Sequence, residues 1–490
     1  MIKTLNSSKW VFFNSITQQL IGFLFFGSMT YLLSPKLFGV YAIGLIFSEV
    51  IGQIVRLGMS ANLINRKKYK SLALNNAFWI TLIFGVFFSV SFYLLAYLVV
   101  LYFDISEHIL VIQVMSILPF IFALGCVPDA LLQRKFLYKK IAFATFIASI
   151  ISCVVAGIIA FTQFSQFTFV IQKVTYEMIM LVIIWKSIKW RPRWLIDYAI
   201  LIEQLRVSVP LLFAGLTNVA ANKLKDIFIA SALGPSSLGI YRLAIKLQDF
   251  LVKITIGPIT AVAIPSLARV KEDDFKETIG TFINWMGILS FPIFTGVAVM
   301  SPELLNVLFT DEWAEAAAIL QMLCLLGVLS VYIHMFKPIF SVLEQGFILV
   351  KLRMIYFVLL FILLFFTASY GILYIIFSEI IVTILLTFLG LFSLKKVLQF
   401  NAFYFLRDLK PALASSLFML FVMLFTKTLL NENLIVGDFF LLLIFFFLGI
   451  ISYFIFLKLF FAGIYAVINN YIKCSKLYIL AIRKVKPSKR

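Results

Sequence analysis

Four ionisable side chains share one face of a predicted helix inside an apolar segment. Arg242, Lys246, Asp249 and Lys253 stand at positions i, i+4, i+7 and i+11, a spacing that aligns them along an α-helix. Lysine and arginine bind phosphate oxygens through charge-assisted hydrogen bonds. A charged group within a membrane costs about 2.5–3.5 kcal/mol on insertion scales and tends to face a water-filled path. The three cations and one anion therefore favour the lining of a water-filled cavity, and internal ion pairing is the alternative.

Polar residues at helical spacing occur in other apolar segments as well. Amide side chains can exchange hydrogen bonds with hydroxyl groups, and carboxylates can weaken the binding of an anion by nearby cations or carry a coupling proton or sodium ion. The further candidate substrate-binding residues are Lys225, Lys223, Arg56, Asn218, Asn222, Gln18, Asn14 and Gln53. The candidate cavity or ion-coupling carboxylates are Asp249, Glu49, Asp226 and Glu177.

Two of these groups also have a simpler structural explanation. Glu49 and Arg56 could pair with each other, and the sequence leaves both interpretations open. Lys173 and Glu177 stand at i and i+4, where a structural ion pair is favoured. The four cysteines are scattered, without a C-x-x-C motif or a nearby histidine, so neither a disulfide framework nor a metal site is predicted. No cofactor is predicted either.

The composition decides what must surround these residues. The chain has 490 residues, of which 63% are hydrophobic and 13% charged, and its mean hydropathy is +1.06. A water-soluble domain has about 45–50% apolar and about 25% charged residues. One core cannot take up this excess, because a domain beyond about 300 residues stops enlarging a single core. The chain is therefore predicted to be an all-α polytopic membrane protein.

The loop charges give the direction of the predicted spans. Apolar windows predict fourteen transmembrane helices, and 32 of the 42 lysine and arginine residues fall in the two termini and in alternate loops. The opposite loops hold two. By the positive-inside rule, both termini are expected in the cytoplasm. The net charge of +20 is thus explained by topology and by anionic lipid head groups, and it does not indicate nucleic-acid binding.

Two ten-residue stretches repeat 200 positions apart. Residues 32–41 read LLSPKLFGVY and residues 232–241 read ALGPSSLGIY, each between an odd and an even span on the predicted outer face. Proline cannot continue the preceding helix, and glycine permits a tight return of the chain. The repeat predicts two six-helix lobes that are related by a pseudo-two-fold axis along the membrane normal, followed by two C-terminal helices.

The predicted domain boundaries follow from this repeat. The N-terminal lobe is 1–188, with spans one to six, and the C-terminal lobe is 207–394, with spans seven to twelve. An amphipathic cytoplasmic connector, 189–206, joins the lobes. Spans thirteen and fourteen lie within 395–470, and the basic tail 471–490 is predicted to be a cytoplasmic anchor.

Four stretches in a fixed order together carry a family resemblance. After the LSPKLFGVY turn come LGMSANLINRKK at 57–68, PDALLQRKFLYKKIAF at 128–143 and LLNVLFTDEWAEAAAILQMLCL at 304–325. In this order they resemble the Wzx-type oligosaccharide flippases, which are polysaccharide transporters of the multidrug/oligosaccharidyl-lipid/polysaccharide (MOP) superfamily. The resemblance covers about residues 5–400.

The resemblance implies a transport function. Members of that family move undecaprenyl-diphosphate-linked repeat units of O-antigen, capsule or exopolysaccharide from the cytoplasmic to the outer leaflet of the bacterial inner membrane. The sugar-phosphate head crosses through a central cavity by alternating access, while the lipid tail stays in the bilayer. The implied partners are this substrate, membrane lipids, a coupling H+ or Na+, and a polysaccharide polymerase. Cavity residues vary within the family, so the resemblance transfers no catalytic set.

Three other functions stay open at this point. A lipid II flippase would also have fourteen spans, and a multidrug exporter would have the same superfamily shape but usually an acidic, aromatic site. A membrane glycosyltransferase or polymerase belongs to a different class and needs a sizeable outer loop. The longest predicted outer loop has about 14 residues, so an enzyme is not expected.

Overall fold

The computed structural model describes residues 2–65, 71–398, 404–433, 437–463 and 466, and in these ranges the chain is helical, without a β-strand. The predicted anchor 471–490 lies outside the described residues. The helices are α1 (Ile2–Met29), α2 (Pro35–Val55), α3 (Met59–Asn65), α4 (Ser71–Tyr102), α5 (Ile109–Met115), α6 (Leu118–Arg134), α7 (Tyr138–Ala160), α8 (Thr168–Ser187), α9 (Tyr198–Leu267), α10 (Glu272–Leu308), α11 (Ala316–Leu329), α12 (Val331–Val342), α13 (Gly346–Thr367), α14 (Ile372–Leu398), α15 (Phe405–Asp408), α16 (Lys410–Asn433) and α17 (Asp438–Phe460).

The helix lengths are those of a membrane protein. Twelve helical stretches within the described ranges are long and apolar enough to cross a membrane, and Ile16–Met29 is a shorter apolar helix. The predicted all-α polytopic class is confirmed, while the total of fourteen spans stays a prediction. The 70-residue α9 breaks at Gly234 (φ 83°, ψ 175°). A straight helix of that length would measure about 105 Å against a hydrocarbon core of about 30 Å, and each of its arms, 198–233 and 235–267, is by itself long enough to cross a bilayer.

The chain forms two compact units. The first consists of the described residues up to Phe250, with Leu308–Ile319 and Tyr356–Ser378. The second consists of Leu251–Val307, Leu320–Ile355 and the described residues from Glu379 onward. The first unit thus holds the first predicted lobe together with most of spans seven and eight. These units, which are defined by contacts within the structure, differ from the two lobes that the sequence repeat predicts. The division into two lobes stays a prediction.

The two repeated turns contact each other inside the first unit. A Cβ atom on Gly39 would collide with the backbone of Pro235, and a Cβ atom on Gly239 would collide with the carbonyl of Pro35. Both would come closer than 3.0 Å, a distance that real Cβ atoms essentially never show. The contact is reciprocal, as expected for two equivalent elements that meet across a two-fold axis.

The sequence-based explanation of these two glycines is wrong. Gly39 lies within α2 and Gly239 within the second arm of α9, and neither has a positive φ. They allow two helices to approach closely, rather than allowing the chain to turn back tightly. The chain returns at Gly234 in the second copy and through the extended backbone of Ser34 (φ −69°, ψ 157°) in the first.

A buried tryptophan supports the first turn. Trp313 lies in the fourth sequence motif and has no exposed surface. Its Nε1 donates a hydrogen bond to the Thr30 carbonyl at 3.2 Å, and its ring meets Phe38 edge-on at 4.7 Å. The hydroxyl of Tyr31 donates to the Leu308 carbonyl at 2.7 Å. The motif at 304–325 therefore packs behind the turn that the repeat identifies.

The opposite end of α2 is joined to the first arm of α9. Leu57 and Gly58 have left-handed φ values of 49° and 69° and separate α2 from α3. The side-chain amide of Asn62 in α3 donates to the Gln204 carbonyl at 3.0 Å and to Ser208 Oγ at 2.8 Å. The motif at 57–68 thus supplies both the break in the helix and the side chain that fastens it to α9.

Replacing Asn62 by alanine is expected to lower the thermal unfolding midpoint of the purified protein. The substitution removes two buried hydrogen bonds and leaves the acceptors buried, which costs about 1–3 kcal/mol. The matched control is Asn218→Ala, because Asn218 is exposed. Unfolding of both variants in detergent, followed by circular dichroism, checks the prediction. Equal midpoints for N62A and N218A would contradict it.

The second unit has a buried ion pair of its own. Lys427 Nζ in α16 lies 2.6 Å from Glu303 Oε1 in α10, and the glutamate side chain is 7% exposed. Close by, the side-chain amide of Asn306 donates to Asp438 Oδ2 at 3.2 Å, at the start of α17. These contacts attach the last two helices to α10.

Candidate functional site

The predicted site residues lie on α1, α2, α8 and the two arms of α9. All of them belong to the first unit except Lys253, which stands three residues beyond its end at Phe250. The helices that position them are the ones that carry the repeat, because α2 and the second arm of α9 each begin at a repeated turn.

Arg242 is held by a carboxylate from the neighbouring arm. Its Nη2 donates a hydrogen bond to Asp226 Oδ2 at 2.6 Å, with side-chain exposures of 22% and 6%. The Nε atom of Arg242 is buried and has no hydrogen-bond partner among the described groups. The ion pair fastens the two arms of α9 together across Gly234. Internal ion pairing, the alternative that the sequence analysis left open for this stripe, is therefore what the structure shows for Arg242.

A second ion pair connects α2 to the first arm of α9. Lys223 Nζ lies 2.8 Å from Glu49 Oε2, and the two side chains are 12% and 41% exposed. The other possible partner of Glu49 was Arg56, but the Arg56 guanidinium lies 5.0 Å from the ring centroid of Phe122 instead. Within the described ranges, Arg56 is an exposed cation with no carboxylate in ion-pair contact.

Two lysines of the site lie over aromatic rings. Lys246 Nζ is 4.5 Å from the ring centroid of Phe26 in α1, and Lys225 Nζ is 5.9 Å from that of Tyr241. Lys246 is half-buried, whereas Lys225 is 8% exposed. A ring face attracts a cation, so each ring helps to hold its lysine in place.

Besides Arg56, four predicted site residues are exposed, all of them on α9. Asp249 and Lys253 extend the stripe along the second arm, and Asn218 and Asn222 lie on the first arm. In a membrane protein, exposed polar side chains within a span require either water or a polar partner.

The amide residues of α1 and α2 make contacts within the first unit. Gln18 Nε2 donates to the hydroxyl of Tyr176 in α8 at 2.7 Å, and Asn14 is hydrogen-bonded to Thr145 in α7. Gln53 lies against the backbone of Gly215, where a Cβ would collide with its side-chain amide. The structure thus brings Gln53 to the first arm of α9, and it places Asn14 and Gln18 against the helices of the predicted N-terminal lobe.

The predicted pair on α8 forms. Lys173 Nζ lies 2.7 Å from Glu177 Oε1. Lys173 also lies 5.6 Å from the ring centroid of Tyr176 and 6.0 Å from that of Phe122. Phe122 therefore lies between the cations of Arg56 and Lys173, a contact that the sequence analysis did not find. Only the helical spacing of Lys173, Tyr176 and Glu177 could have indicated part of it.

The arrangement can attract an anion. The candidate residues on spans two, seven and eight within the first unit carry a formal excess of two positive charges, from five basic side chains (Arg56, Lys223, Lys225, Arg242 and Lys246) and three carboxylates (Glu49, Asp226 and Asp249). Within the described residues, no three His, Cys, Asp or Glu side chains come together to hold a metal ion. The chemistry offered by these residues is charge-assisted hydrogen bonding to an anionic group.

Comparison with known proteins identifies related sequences. The family described as "Polysaccharide biosynthesis protein" matches residues 29–318, more than half of the chain. The teichuronic acid biosynthesis protein TuaB of Bacillus subtilis is 23% identical over 321 residues, 64% of this chain and 66% of that protein. The lipopolysaccharide biosynthesis protein WzxC of Escherichia coli is 21% identical over 337 residues, 67% of each chain. The chain spans about two thirds of the length of these relatives.

Solved structures share the fold. The lipid II flippase MurJ in its inward closed conformation superposes with a TM-score of 0.77 at 15% identity, covering 94% of this chain and 99% of MurJ. An inward-facing multidrug resistance transporter of the MATE family and MOP superfamily gives a TM-score of 0.63 at 14% identity, covering 79% of this chain and 94% of the transporter. At these identities the likeness shows the fold alone.

Proposed function

Because this chain belongs to the family of polysaccharide biosynthesis proteins, we propose that it is a flippase for lipid-linked oligosaccharide. It would move an undecaprenyl-diphosphate-linked repeat unit from the cytoplasmic to the outer leaflet of a bacterial inner membrane. The observation that carries the proposal is the excess of basic side chains on spans two, seven and eight, within a fold shared with MurJ and the MATE transporters. No chemical bond has to be made or broken for this function.

The substrate's diphosphate suits these side chains. Lys246 is the primary phosphate ligand that we propose, and Lys253 adds a positive charge two helical turns further along the same helix. Arg242 is tied to Asp226, so its share in binding requires this pair to exchange partners. Lys223, Lys225 and Arg56 add positive potential, while Asn14, Gln18, Gln53, Asn218 and Asn222 would bind sugar hydroxyls.

The energetics do not require ATP. A head group with about two negative charges that moves outward across about 100 mV, inside negative, gains roughly 4–5 kcal/mol. Glu49, Asp226, Asp249 and Glu177 are the carboxylates that could couple a proton or a sodium ion to the cycle. We propose a cycle driven by the membrane potential or an ion gradient.

Transport by alternating access also requires one end of the helices to open at a time. The reciprocal contact of Gly39 and Gly239 closes the predicted outer end, because it brings the start of α2 against the start of the second arm of α9. We propose that this contact separates when the head group is released outward.

Replacing Lys246 by glutamine is expected to reduce transport by about tenfold or more while the protein still inserts and folds. The variant keeps hydrogen-bonding capacity but removes the charge that attracts the diphosphate, and a charge-assisted hydrogen bond contributes about 1.5–3 kcal/mol. The measurement is outward movement of a lipid-linked oligosaccharide in proteoliposomes, detected by the access of an external glycosidase to its sugars.

The matched control for this experiment is Lys458→Gln, which removes an exposed lysine at the end of α17, outside the first unit. It is expected to transport at the normal rate. Normal transport by Lys246→Gln would reject the role of Lys246, and no outward movement by the unmodified protein with several lipid-linked oligosaccharides would reject the function. Transport of lipid II in the same assay would assign the alternative substrate.

A multidrug exporter is a weaker candidate. Its usual cargo is a cationic drug, which the excess of positive charge on spans two, seven and eight would repel. An export assay with a cationic dye in the same vesicles distinguishes the two functions.

A further inference from the structure

The segment between α8 and α9 forms a rigid surface of the first unit. Two buried asparagines at the start of α4 hold its backbone. Asn76 accepts a hydrogen bond from the Asp197 amide at 3.0 Å and donates one to the Asp197 carbonyl at 2.8 Å. Asn75 accepts from the Arg193 amide at 3.2 Å. The segment is therefore held in one conformation although residues 188–197 are not helical.

Aromatic rings line this segment in a continuous belt. Four of the chain's seven tryptophans belong to it, and Trp79 meets Trp194 at 4.2 Å while Trp185 stacks on Trp190 at 6.0 Å. Phe78 lies between 5.4 and 5.9 Å from three of these rings. We call these five residues the tryptophan belt. Tryptophan is enriched where a membrane protein meets the boundary between lipid and water.

Exposed cations and exposed apolar side chains lie beside the belt. The basic side chains of the segment, all exposed, are Lys186, Lys189, Arg191 and Arg193. Trp194 and Tyr198 are each 74% exposed, and Ile202 is 61% exposed. The carboxylate of Asp197 accepts a hydrogen bond from the Ile200 amide at 3.1 Å, so it caps the helix that follows. Four cations within eight residues thus lie beside apolar side chains whose exposure to water is unfavourable.

We propose that this surface, the tryptophan belt with its four cations, binds the head groups of anionic phospholipids such as phosphatidylglycerol. The aromatic and aliphatic groups enter the boundary of the bilayer, and the cations meet the phosphates at the same depth. Clusters of basic residues next to a transmembrane helix attract anionic lipids in this way. A soluble protein partner fits less well, since the exposed apolar groups directly follow the end of the span formed by α8. The inference does not depend on which substrate is transported.

Native mass spectrometry of the purified full chain tests the proposal. The protein is titrated in detergent with phosphatidylglycerol or with phosphatidylcholine, and the fraction that retains lipid is measured. We expect tighter retention of phosphatidylglycerol, and we expect the quadruple variant K186Q/K189Q/R191Q/R193Q to weaken it by about tenfold. Inorganic phosphate at millimolar concentration is expected not to displace the lipid, because it lacks the apolar part.

A matched variant distinguishes the effect of this surface from the effect of removing four positive charges anywhere on the protein. K337Q/K351Q/K395Q/K396Q removes four exposed lysines on helices α12, α13 and α14 that are predicted on the same side of the membrane and are not part of the belt. It should keep the lipid preference. Equal loss of preference in both quadruple variants would overturn the proposal, as would an unchanged preference in the belt variant. Trp194→Ala, which leaves every charge in place, should weaken phosphatidylglycerol retention too, and an unchanged affinity would remove the belt from the site.

Discussion

Gly39→Ala is expected to stop outward transport, although alanine is normally the more favourable residue within a helix. The added methyl group would collide with the backbone of Pro235, so the two repeated turns could no longer meet as they do here. Overpacking of this kind costs about 1–3 kcal/mol. That energy lowers the population of the closed outer end by about 5–150-fold relative to the open one.

The experiment measures both transport and the state of the contact. Transport is followed in proteoliposomes, and the contact is followed by labelling of a Val40→Cys variant with a membrane-impermeant maleimide, because Val40 is 1% exposed. In the presence of Gly39→Ala, this cysteine should react faster. Gly239→Ala should reproduce both effects, since the contact is reciprocal.

Gly157→Ala is the matched control for the glycine variants. Gly157 also lies in a membrane helix, α7, but an added Cβ there would meet nothing within 4 Å. It should leave transport and labelling unchanged and improve the intrinsic helix propensity by about 1 kcal/mol. If Gly39→Ala behaved like Gly157→Ala, the reciprocal contact would have no part in closing the protein.

Arg242→Ala is expected to lower the free energy of unfolding by about 3–5 kcal/mol, because it leaves the buried carboxylate of Asp226 without its partner. The Asp226 side chain is 6% exposed, and its carboxylate lies 2.6 Å from Arg242 Nη2. The thermal unfolding midpoint of the purified variant in detergent would fall accordingly. A transport defect in this single variant could therefore result from lost stability as well as from lost substrate binding.

The double variant Arg242→Gln/Asp226→Asn resolves this ambiguity. Its two neutral side chains can still form a hydrogen bond, so most of the lost stability should return. Full stability with lost transport would assign the charged pair Arg242–Asp226 a role in transport, whereas full stability with normal transport would leave the pair a structural role. An unchanged unfolding midpoint in Arg242→Ala itself would contradict the importance of the pair.

The sequence predicted an ion pair within one helix correctly, but it did not predict contacts between residues on different helices. Lys173 and Glu177 pair as predicted because both stand on one helix, where the spacing alone fixes their separation. Glu49 pairs with Lys223 on another helix, and Arg242 pairs across the break at Gly234. The periodicity of one helix does not reveal how a neighbouring helix is rotated against it, so the sequence offered only Arg56, on the same span, as a partner for Glu49 and did not identify Lys223.

The amino-acid sequence by itself determined that this is an all-α polytopic membrane protein with a repeated turn. Each span must be apolar along its own length to enter a bilayer, so composition and hydropathy are sufficient for that conclusion. Only the tertiary structure decided that the two turns contact each other through Gly39 and Gly239, and that Arg242 of the stripe pairs with the carboxylate of Asp226. Those outcomes depend on how closely and at what angle separate helices pack, which is set by side-chain shape across the whole unit rather than by any local stretch.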